Sequence, residues 1–196
     1  MFARVGGAND PNQQQMKTDV MVQINTSYVI YDNAWLWRAD HGITGTIYNS
    51  ANPVKTGLQV NADHVIAYGL AAEHTLGNLV EWNGEDGHVY FYQSEFPYDV
   101  TQENYGNMGY SAYYVKDTVE RHYGWGIGVY SYFRDHAVNV QSGIKAPVSS
   151  EVKFVDALTV FLNGNGAIDH VIDTQGNTVS GPGQTAYVCN FDASTQ

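Results

Sequence analysis

An internal repeat constrains the fold of this chain more than any other feature. The segment Val-Gln-Ile-Asn-Thr-Ser-Tyr-Val-Ile at 22–30 returns as Leu-Gln-Val-Asn-Ala-Asp-His-Val-Ile at 58–66. The similarity resumes with Ala-Asp-His at 39–41 and Ala-Glu-His at 72–74, where the spacing is slightly shorter. Self-similarity at such a period is typical of stacked-repeat folds. We therefore expect coils that stack in register and present one long outward face to a long ligand.

The distribution of short strand-like runs indicates the fold class. Runs rich in β-branched and aromatic residues alternate with Gly, Asn and Asp, as in all-β proteins. No segment keeps a 3.6-residue period over three turns, so we expect little helix. We predict an all-β, single-stranded parallel β-helix (solenoid) over 1–196, either one domain or a fragment of a longer solenoid, with an irregular C-terminal tail at 174–196. A sandwich or jelly roll has the same strand spacing, but the repeated register favours the solenoid.

Two asparagines occupy the same place in the two copies of the repeat. Asn25 and Asn61 each lie at a break between two short strands, and asparagine tolerates the left-handed backbone of a coil corner. Stacked corners would place the two side chains in register as an amide ladder, which stabilises stacked strands. The segment 42–56 exceeds what a coil requires, so we expect an excursion there, on a face where repeat folds often bind ligands.

The charge of the chain narrows the classes of partner. It has 20 Asp and Glu against 9 Lys and Arg, a net charge of −11 that repels nucleic acids and anionic membranes. Few charged residues (15%) and many aromatic ones (13%) suit a neutral polysaccharide. The single Cys189 excludes an internal disulfide. No apolar run reaches the ~20 residues of a membrane helix, and no leader is visible, so we expect any export signal to lie outside this chain.

Four acidic residues stand beside aromatic or basic neighbours and are the candidate catalytic groups: Asp40, Glu73, Glu81 and Glu95. If the coils stack in register, Asp40 lies over Glu73 at the interstrand spacing of about 4.8 Å. Two carboxylates so close resist simultaneous ionisation, which raises the pKa of one of them. A protonated acid beside a carboxylate is what glycoside hydrolysis requires.

Nine further residues are candidates for substrate binding. Flat aromatic rings can stack on sugars, and polar neighbours can bind hydroxyl groups. The candidates are Trp37, Arg38, His41, His74, Trp82, Tyr92, Gln93, Tyr123 and Trp125. In register, His41 would stack on His74. The alternatives are structural: the aromatic residues as core or stacked rungs, Arg38 paired with Asp40, and an acid hydrogen-bonded to a neighbouring histidine.

The sequence offers no strong metal or cofactor pattern. It contains no phosphate loop, no Gly-x-Ser-x-Gly elbow and no cysteine pair for zinc. His41 and His74 make only a weak metal pattern, and loop Asp and Asn residues offer an unspecific calcium site. We expect no metal centre and no required cofactor, with calcium as the one ion that the loops could bind.

Several longer motifs carry a family resemblance. They are Trp-Leu-Trp-Arg-Ala-Asp-His-Gly at 35–42, Gly-Leu-Gln-Val-Asn at 57–61, Tyr-Gly-Leu-Ala-Ala-Glu-His at 68–74, Glu-Trp-Asn-Gly at 81–84 and Phe-Tyr-Gln-Ser-Glu-Phe-Pro-Tyr-Asp at 91–99. The chain resembles a group of microbial exported proteins with a pectate-lyase-like, right-handed β-helix. These proteins are related to family 55 glycoside hydrolases, the β-1,3-glucanases. The similarity runs from about 2 to 171 and is densest between 35 and 133.

This resemblance implies a right-handed β-helix and an inverting hydrolase with a Glu acid, for which Glu73, Glu81 and Glu95 all remain candidates. Family 55 enzymes carry two β-helices, whereas this chain has room for about one. We therefore expect a secreted or cell-surface glycoside hydrolase that acts on a neutral polysaccharide such as β-1,3-glucan. The alternatives are a non-catalytic polysaccharide-binding β-helix and a polysaccharide lyase. Uncapped solenoid ends also allow self-association.

Overall fold

A computed structural model describes residues 1–43 and 45–192. More than half of the described residues lie in strands, and the helical content is one short 3-10 helix at Gly106–Met108. The strands are β1 (Phe2–Val5), β2 (Thr18–Ile24), β3 (Ile30–Arg38), β4 (His41–Gly42), β5 (Gly45–Thr46), β6 (Val54–Val60), β7 (Ile66–Glu73), β8 (Val80–Trp82), β9 (Gly87–Glu95), β10 (Tyr113–Val115), β11 (Arg121–Lys145), β12 (Glu151–Ile172) and β13 (Gln184–Asp192).

The strands form a parallel solenoid, which confirms the predicted right-handed β-helix and excludes the sandwich. The hydrogen-bonded order is β1-β3-β7-β9-β11-β10-β8-β6-β2, so the sheet runs along one side of the molecule and returns along the other through β11. We call β1, β3, β7, β9 and the first part of β11 the front sheet. We call β2, β6, β8, β10 and the end of β11 the back sheet. Every pairing within this path is parallel.

The predicted amide ladder is present at the coil corners and is longer than expected. Asn61 Nδ2 donates to Asn25 Oδ1 at 2.8 Å, and Asn83 Nδ2 donates to Asn61 Oδ1 at 2.8 Å. Each amide thus satisfies its neighbour in the next coil, which holds the corners in vertical register.

A row of left-handed residues bends each front strand. Asn33, Gly69, Phe91 and Gly126 have φ values of 48°, 59°, 64° and 65° and stack on one another. Strand side chains normally alternate between faces. The bend reverses that alternation, so Ile30 and Trp35 both lie exposed on the outer face although five residues separate them.

Two expectations about the periphery change. The tail after 173 is not irregular throughout, because β13 pairs antiparallel with β12 from Lys153 to Phe161. Ala186 and Val188 alternate with exposed residues of β13, and Phe191 is also buried; this burial stabilises the strand. Residues 193–196 of the predicted tail lie outside the described residues. The excursion at 42–56 exists; it begins with the antiparallel pair β4–β5 and ends inside β6.

Candidate active site

Two glutamates on adjacent coils form the centre of the site. Glu73 ends β7, Glu95 ends β9, and the two residues are register partners on the outer face of the front sheet. Neighbouring strands lie about 4.8 Å apart, so the two side chains leave the backbone side by side. Trp35 Nε1 donates to Glu73 Oε2 at 2.8 Å, and the Tyr98 hydroxyl donates to Glu95 Oε2. Both carboxyls are therefore oriented by aromatic donors.

The surroundings favour a proton on this pair near neutral pH. The pKa of Glu73 is raised from 4.5 to about 7, mainly by burial. The hydrogen bonds from Trp35 and Gln93 oppose this rise, and the charges of Glu95 and Asp40 add to it. Burial also raises the pKa of Glu95. Carboxyl groups that interact so closely titrate as a pair. The pair thus retains one proton under conditions in which an exposed glutamate would be ionised.

Asp40 joins the site from the bend that follows β3. Its Oδ1 lies 3.0 Å from His41 Nδ1, 3.2 Å from Trp37 Nε1 and 3.6 Å from His74 Nε2. Burial pushes the pKa of Asp40 up, but the charge of His74 and the His41 hydrogen bond outweigh it, so the net shift is downward. Asp40 is accordingly the ionised carboxylate of the cleft.

The predicted stacking of Asp40 over Glu73, and of His41 over His74, was wrong. The register partner of Glu73 in the preceding coil is Trp37, because the 36-residue spacing of the asparagines persists to the end of the strand. Both histidines instead approach the same oxygen of Asp40. The acid partner of Glu73 across the coils is Glu95.

His74 is fixed in the wall of the site. Its side chain is buried, and Nδ1 lies 3.2 Å from the carbonyl oxygen of Phe96, to which it donates. Burial lowers the pKa of His74, and the charge of Asp40 opposes that shift. The backbone of His74 is left-handed, with φ 63°. A strained, buried imidazole beside Asp40 is a feature that functional sites often retain.

These groups line one cavity, which we call the acid cleft. Its volume is about 520 Å³, and its lining residues are Trp35, Trp37, Asp40, His41, Glu73, His74, Glu95 and Tyr98. A second cavity of about 440 Å³ shares Trp35 and Glu73 with it and extends along Asn33, Gly69 and Gln93. Another cavity of similar volume lies between Lys17 and Lys55. It contains a single carboxylate and therefore lacks the pair of acids that a glycosidase site requires.

Arg38 supports the cleft instead of binding substrate. Its guanidinium is buried and makes two hydrogen bonds to Asp99, of 2.9 and 2.8 Å. It also donates to the carbonyl oxygens of His74 and Ala51. The predicted alternative of a pair with Asp40 is therefore wrong. Arg38 links the backbone of His74 to that of the excursion by hydrogen bonds, and its charge is neutralised by Asp99.

Three other candidates lie away from the acid cleft. Glu81 is on β8 in the back sheet, where Gln59 and Asn78 donate to its two oxygens. Trp82 and Tyr92 are buried in the core, and the Tyr92 hydroxyl donates to a backbone carbonyl. Glu81 thus has a structural role, and Trp82 and Tyr92 cannot stack on an external sugar.

The last two candidates share the face of the site but not the cleft. Trp125 stacks on Tyr90 at 4.7 Å between ring centroids, and Tyr123 packs beside it against His88. Five residues separate Trp125 from Tyr130, the register partner of Glu95, a distance of about 16 Å along the strand. The structure therefore brings together Trp37, His41, His74 and Gln93 around the acids, and leaves Tyr123 and Trp125 outside.

Sequence reasoning missed Trp35, Tyr98 and Asp99. Trp35 shares the outer face with Trp37, and Tyr98 and Asp99 follow Glu95 within the motif at 91–99, so each stood next to a chosen residue. In residues 1–43 and 45–192, no group of three or more His, Cys, Asp or Glu side chains is placed to hold a metal ion. No helix in the same residues is long and apolar enough to cross a membrane.

The fold and the site define the class: a pectate-lyase-like, right-handed parallel β-helix with a carboxyl pair in an aromatic cleft. The family model of the LAM55 pectate lyase-like domain matches residues 1–95. An exo-beta-1,3-glucanase of Streptomyces sp. SirexAA-E is 40% identical over 186 residues, which cover 92% of this chain and 30% of that enzyme.

Solved structures agree with this assignment. The structure of sacteLam55A from the same organism superposes with a TM-score of 0.88 and 39% identity over 97% of this chain and 34% of that one. A variant of sacteLam55A in complex with glucose gives a TM-score of 0.89 and 38% identity over the same shares. In sequence and fold, the chain is therefore similar to pectate-lyase-like β-helix proteins of the family 55 glycoside hydrolases, as its motifs indicate. It spans about a third of the length of these relatives.

Proposed function

We propose that this protein is a glycoside hydrolase that acts on a neutral β-1,3-glucan. The observation that carries the proposal is the Glu73–Glu95 pair, which retains a proton near neutral pH inside a cleft lined by Trp35 and Trp37. The relatives support the substrate class, since one is named an exo-beta-1,3-glucanase. The net charge of −11 also suits a neutral polymer better than an acidic one.

The pair supplies both groups that the reaction requires. One carboxyl gives its proton to the glycosidic oxygen as the bond to the anomeric carbon breaks. The other, as carboxylate, either takes a proton from the attacking water, which inverts the anomeric carbon, or attacks that carbon itself, which leads to retention. The indole rings of Trp35 and Trp37 hold the sugar, and Asp40 places a fixed negative charge near the developing oxocarbenium ion. The family resemblance implies inversion, whereas register partners about 4.8 Å apart approach the spacing of a retaining pair. NMR of the first sugar released distinguishes the two outcomes.

Amide variants test the proposal, with laminarin as the substrate. General acid or base catalysis contributes 10²–10⁴-fold, so we expect Glu73→Gln and Glu95→Gln each to lower kcat by about 10³-fold. Glu81→Gln is the matched control, because Glu81 is hydrogen-bonded in the back sheet, and it should keep full activity. Full activity in both pair variants would refute the assignment. Glucan binding without any product from the unaltered protein would favour the non-catalytic alternative.

An activated substrate separates the two roles within the pair. An aryl glucoside with a good leaving group does not need protonation, so the variant that lacks the acid regains activity on it. The variant that lacks the other carboxylate does not regain activity on this substrate. Loss of activity on both substrates in both variants would show that the two carboxyls do not divide the work in this way.

The remaining aspects of the function follow from the substrate. We propose that the protein works outside the cell, secreted or at the cell surface, because a polymeric glucan does not cross membranes. No cofactor is needed, so activity should survive treatment with EDTA. Lyase chemistry is disfavoured because Arg38, a cation in the wall of the cleft, is already paired with Asp99. Self-association through the solenoid ends stays a prediction, which light scattering tests.

A further inference from the structure

The front sheet carries an unusual exposed surface beyond the acid cleft. Phe91 is 67% exposed and Tyr68 is 41% exposed, although both lie on strands of the main sheet. Phe91 also holds a left-handed backbone, with φ 64°, which disfavours a bulky residue. A soluble protein that keeps a large ring both strained and exposed has a use for it at the surface.

Tyr68 ends a ladder of stacked rings and leaves one face open. It stacks on Tyr90 at 5.1 Å and 15°, and Tyr90 stacks on Trp125 at 4.7 Å and 5°. In the coil on the other side of Tyr68, the register partner is Asp32, which carries no ring. The open face of Tyr68 is therefore bordered by an exposed carboxylate, a combination that suits a sugar ring and its hydroxyl groups.

This surface is continuous with the acid cleft. The second cavity extends from Glu73 and Trp35 to Asn33 and Gly69, the direct chain neighbours of Asp32 and Tyr68. Phe91 precedes Glu95 by four residues, which is about 13 Å along the strand. A glucan of several sugar units can span that distance, whereas a disaccharide held in the cleft is too short to reach it.

We propose that Asp32, Tyr68 and Phe91 form a second glucan subsite that holds the polymer while its end occupies the acid cleft. The proposal rests on the proposed function for its ligand class. The occupant is a neutral β-glucan because the surface offers aromatic rings that stack on sugars and a single carboxylate that accepts hydrogen bonds from hydroxyl groups. Phe91 presses on the sugar chain from the side, and the open face of Tyr68 stacks on one ring.

Phe91→Gly is a clean test, because glycine is the residue that the left-handed backbone prefers, so the variant should fold at least as well. We expect its KM for laminarin to rise about fivefold to tenfold with unchanged kcat, because one aromatic contact with the sugar chain is lost. Its KM for laminaribiose should not change. Tyr187→Ala, which removes an equally exposed ring from β13, is the matched control and should alter neither value. An unchanged KM for laminarin, or an equal rise in the control, would overturn the proposal.

A binding assay separates this inference from the proposed function. If the unaltered protein hydrolyses neither substrate, the proposed function fails, and affinity electrophoresis in a laminarin gel still reports on the subsite. Retardation that Phe91→Gly abolishes and Tyr187→Ala preserves supports the subsite. Equal mobility of all three proteins, with or without laminarin, refutes it.

Discussion

Replacing Glu73 by glutamine should lower kcat by about 10³-fold and at the same time stabilise the protein at neutral pH. The site holds Glu73 in a buried position beside Glu95 and Asp40, where a charge is unfavourable. Glutamine has the same shape, keeps an oxygen for the Trp35 hydrogen bond and carries no charge. The variant therefore retains the contacts of the protonated acid and loses only its ionisation.

The magnitude and its sign follow from the pKa of Glu73. The folded protein binds this proton more tightly than the unfolded chain, with a pKa of about 7 against 4.5. The associated stability is fully present below pH 4.5 and is lost as the pH rises through 7. One pKa unit is 1.36 kcal/mol, so the loss is about 3 kcal/mol by pH 8. The glutamine variant escapes this loss.

Urea unfolding of both proteins between pH 4 and pH 8 measures the effect. We expect the difference in free energy of unfolding, variant minus unaltered protein, to rise from near zero at pH 4 to about 3 kcal/mol at pH 8. Taking the difference cancels the titration of other groups. Glu81→Gln is the control and should show no such rise. A difference that stays flat within about 0.5 kcal/mol across this range would refute the reasoning.

Three further predictions concern the scaffold. Asp99→Asn leaves Arg38 as a buried unpaired cation and should lower the free energy of unfolding by about 3–5 kcal/mol in calorimetry; a change below about 1 kcal/mol would contradict it. Asn61→Ala removes two rungs of the amide ladder and should cost about 1–2 kcal/mol in urea unfolding, whereas no measurable loss would count against a structural ladder. Burial lowers the pKa of His122 from 6.5 to about 3, so stability is lost as pH falls below 6.5; His122→Gln should lack that component in acid titrations, and an identical acid profile would argue against a buried neutral ring.

The stacking of the coils could be predicted from the sequence, but the residue that faces each acid in the neighbouring coil could not. Asn25 and Asn61 predicted the register correctly because their amides need one another at the corner, which makes the spacing a physical requirement. The similarity between residues 39–41 and 72–74 is a similarity of sequence without structural equivalence. Asp40 lies beyond the end of β3, where the chain is no longer bound by strand register, so its similarity to Glu73 had no geometric meaning.

The orientation of Tyr92 could not be predicted from alternation. His88 and Tyr90 face outward, and a regular strand would place Tyr92 outward as well. The left-handed bend at Phe91 reverses the order, which buries Tyr92 and turns Gln93 and Glu95 toward the cleft. A glycine in the sequence commonly indicates such a left-handed bend, whereas a phenylalanine does not. The same bend explains why Trp35 was overlooked on the outer face.

The account depends most on a proton shared between adjacent coils, and a carboxyl titration measures it directly. Selective ¹³C labelling of glutamate allows the carboxyl pKa of Glu73 to be followed by NMR in the unaltered protein and in Glu95→Gln. The account predicts a pKa near 7 that falls when the charge of Glu95 is removed. A Glu73 pKa near the ordinary 4.5 in the unaltered protein, or the same pKa in the unaltered protein and in Glu95→Gln, would contradict it.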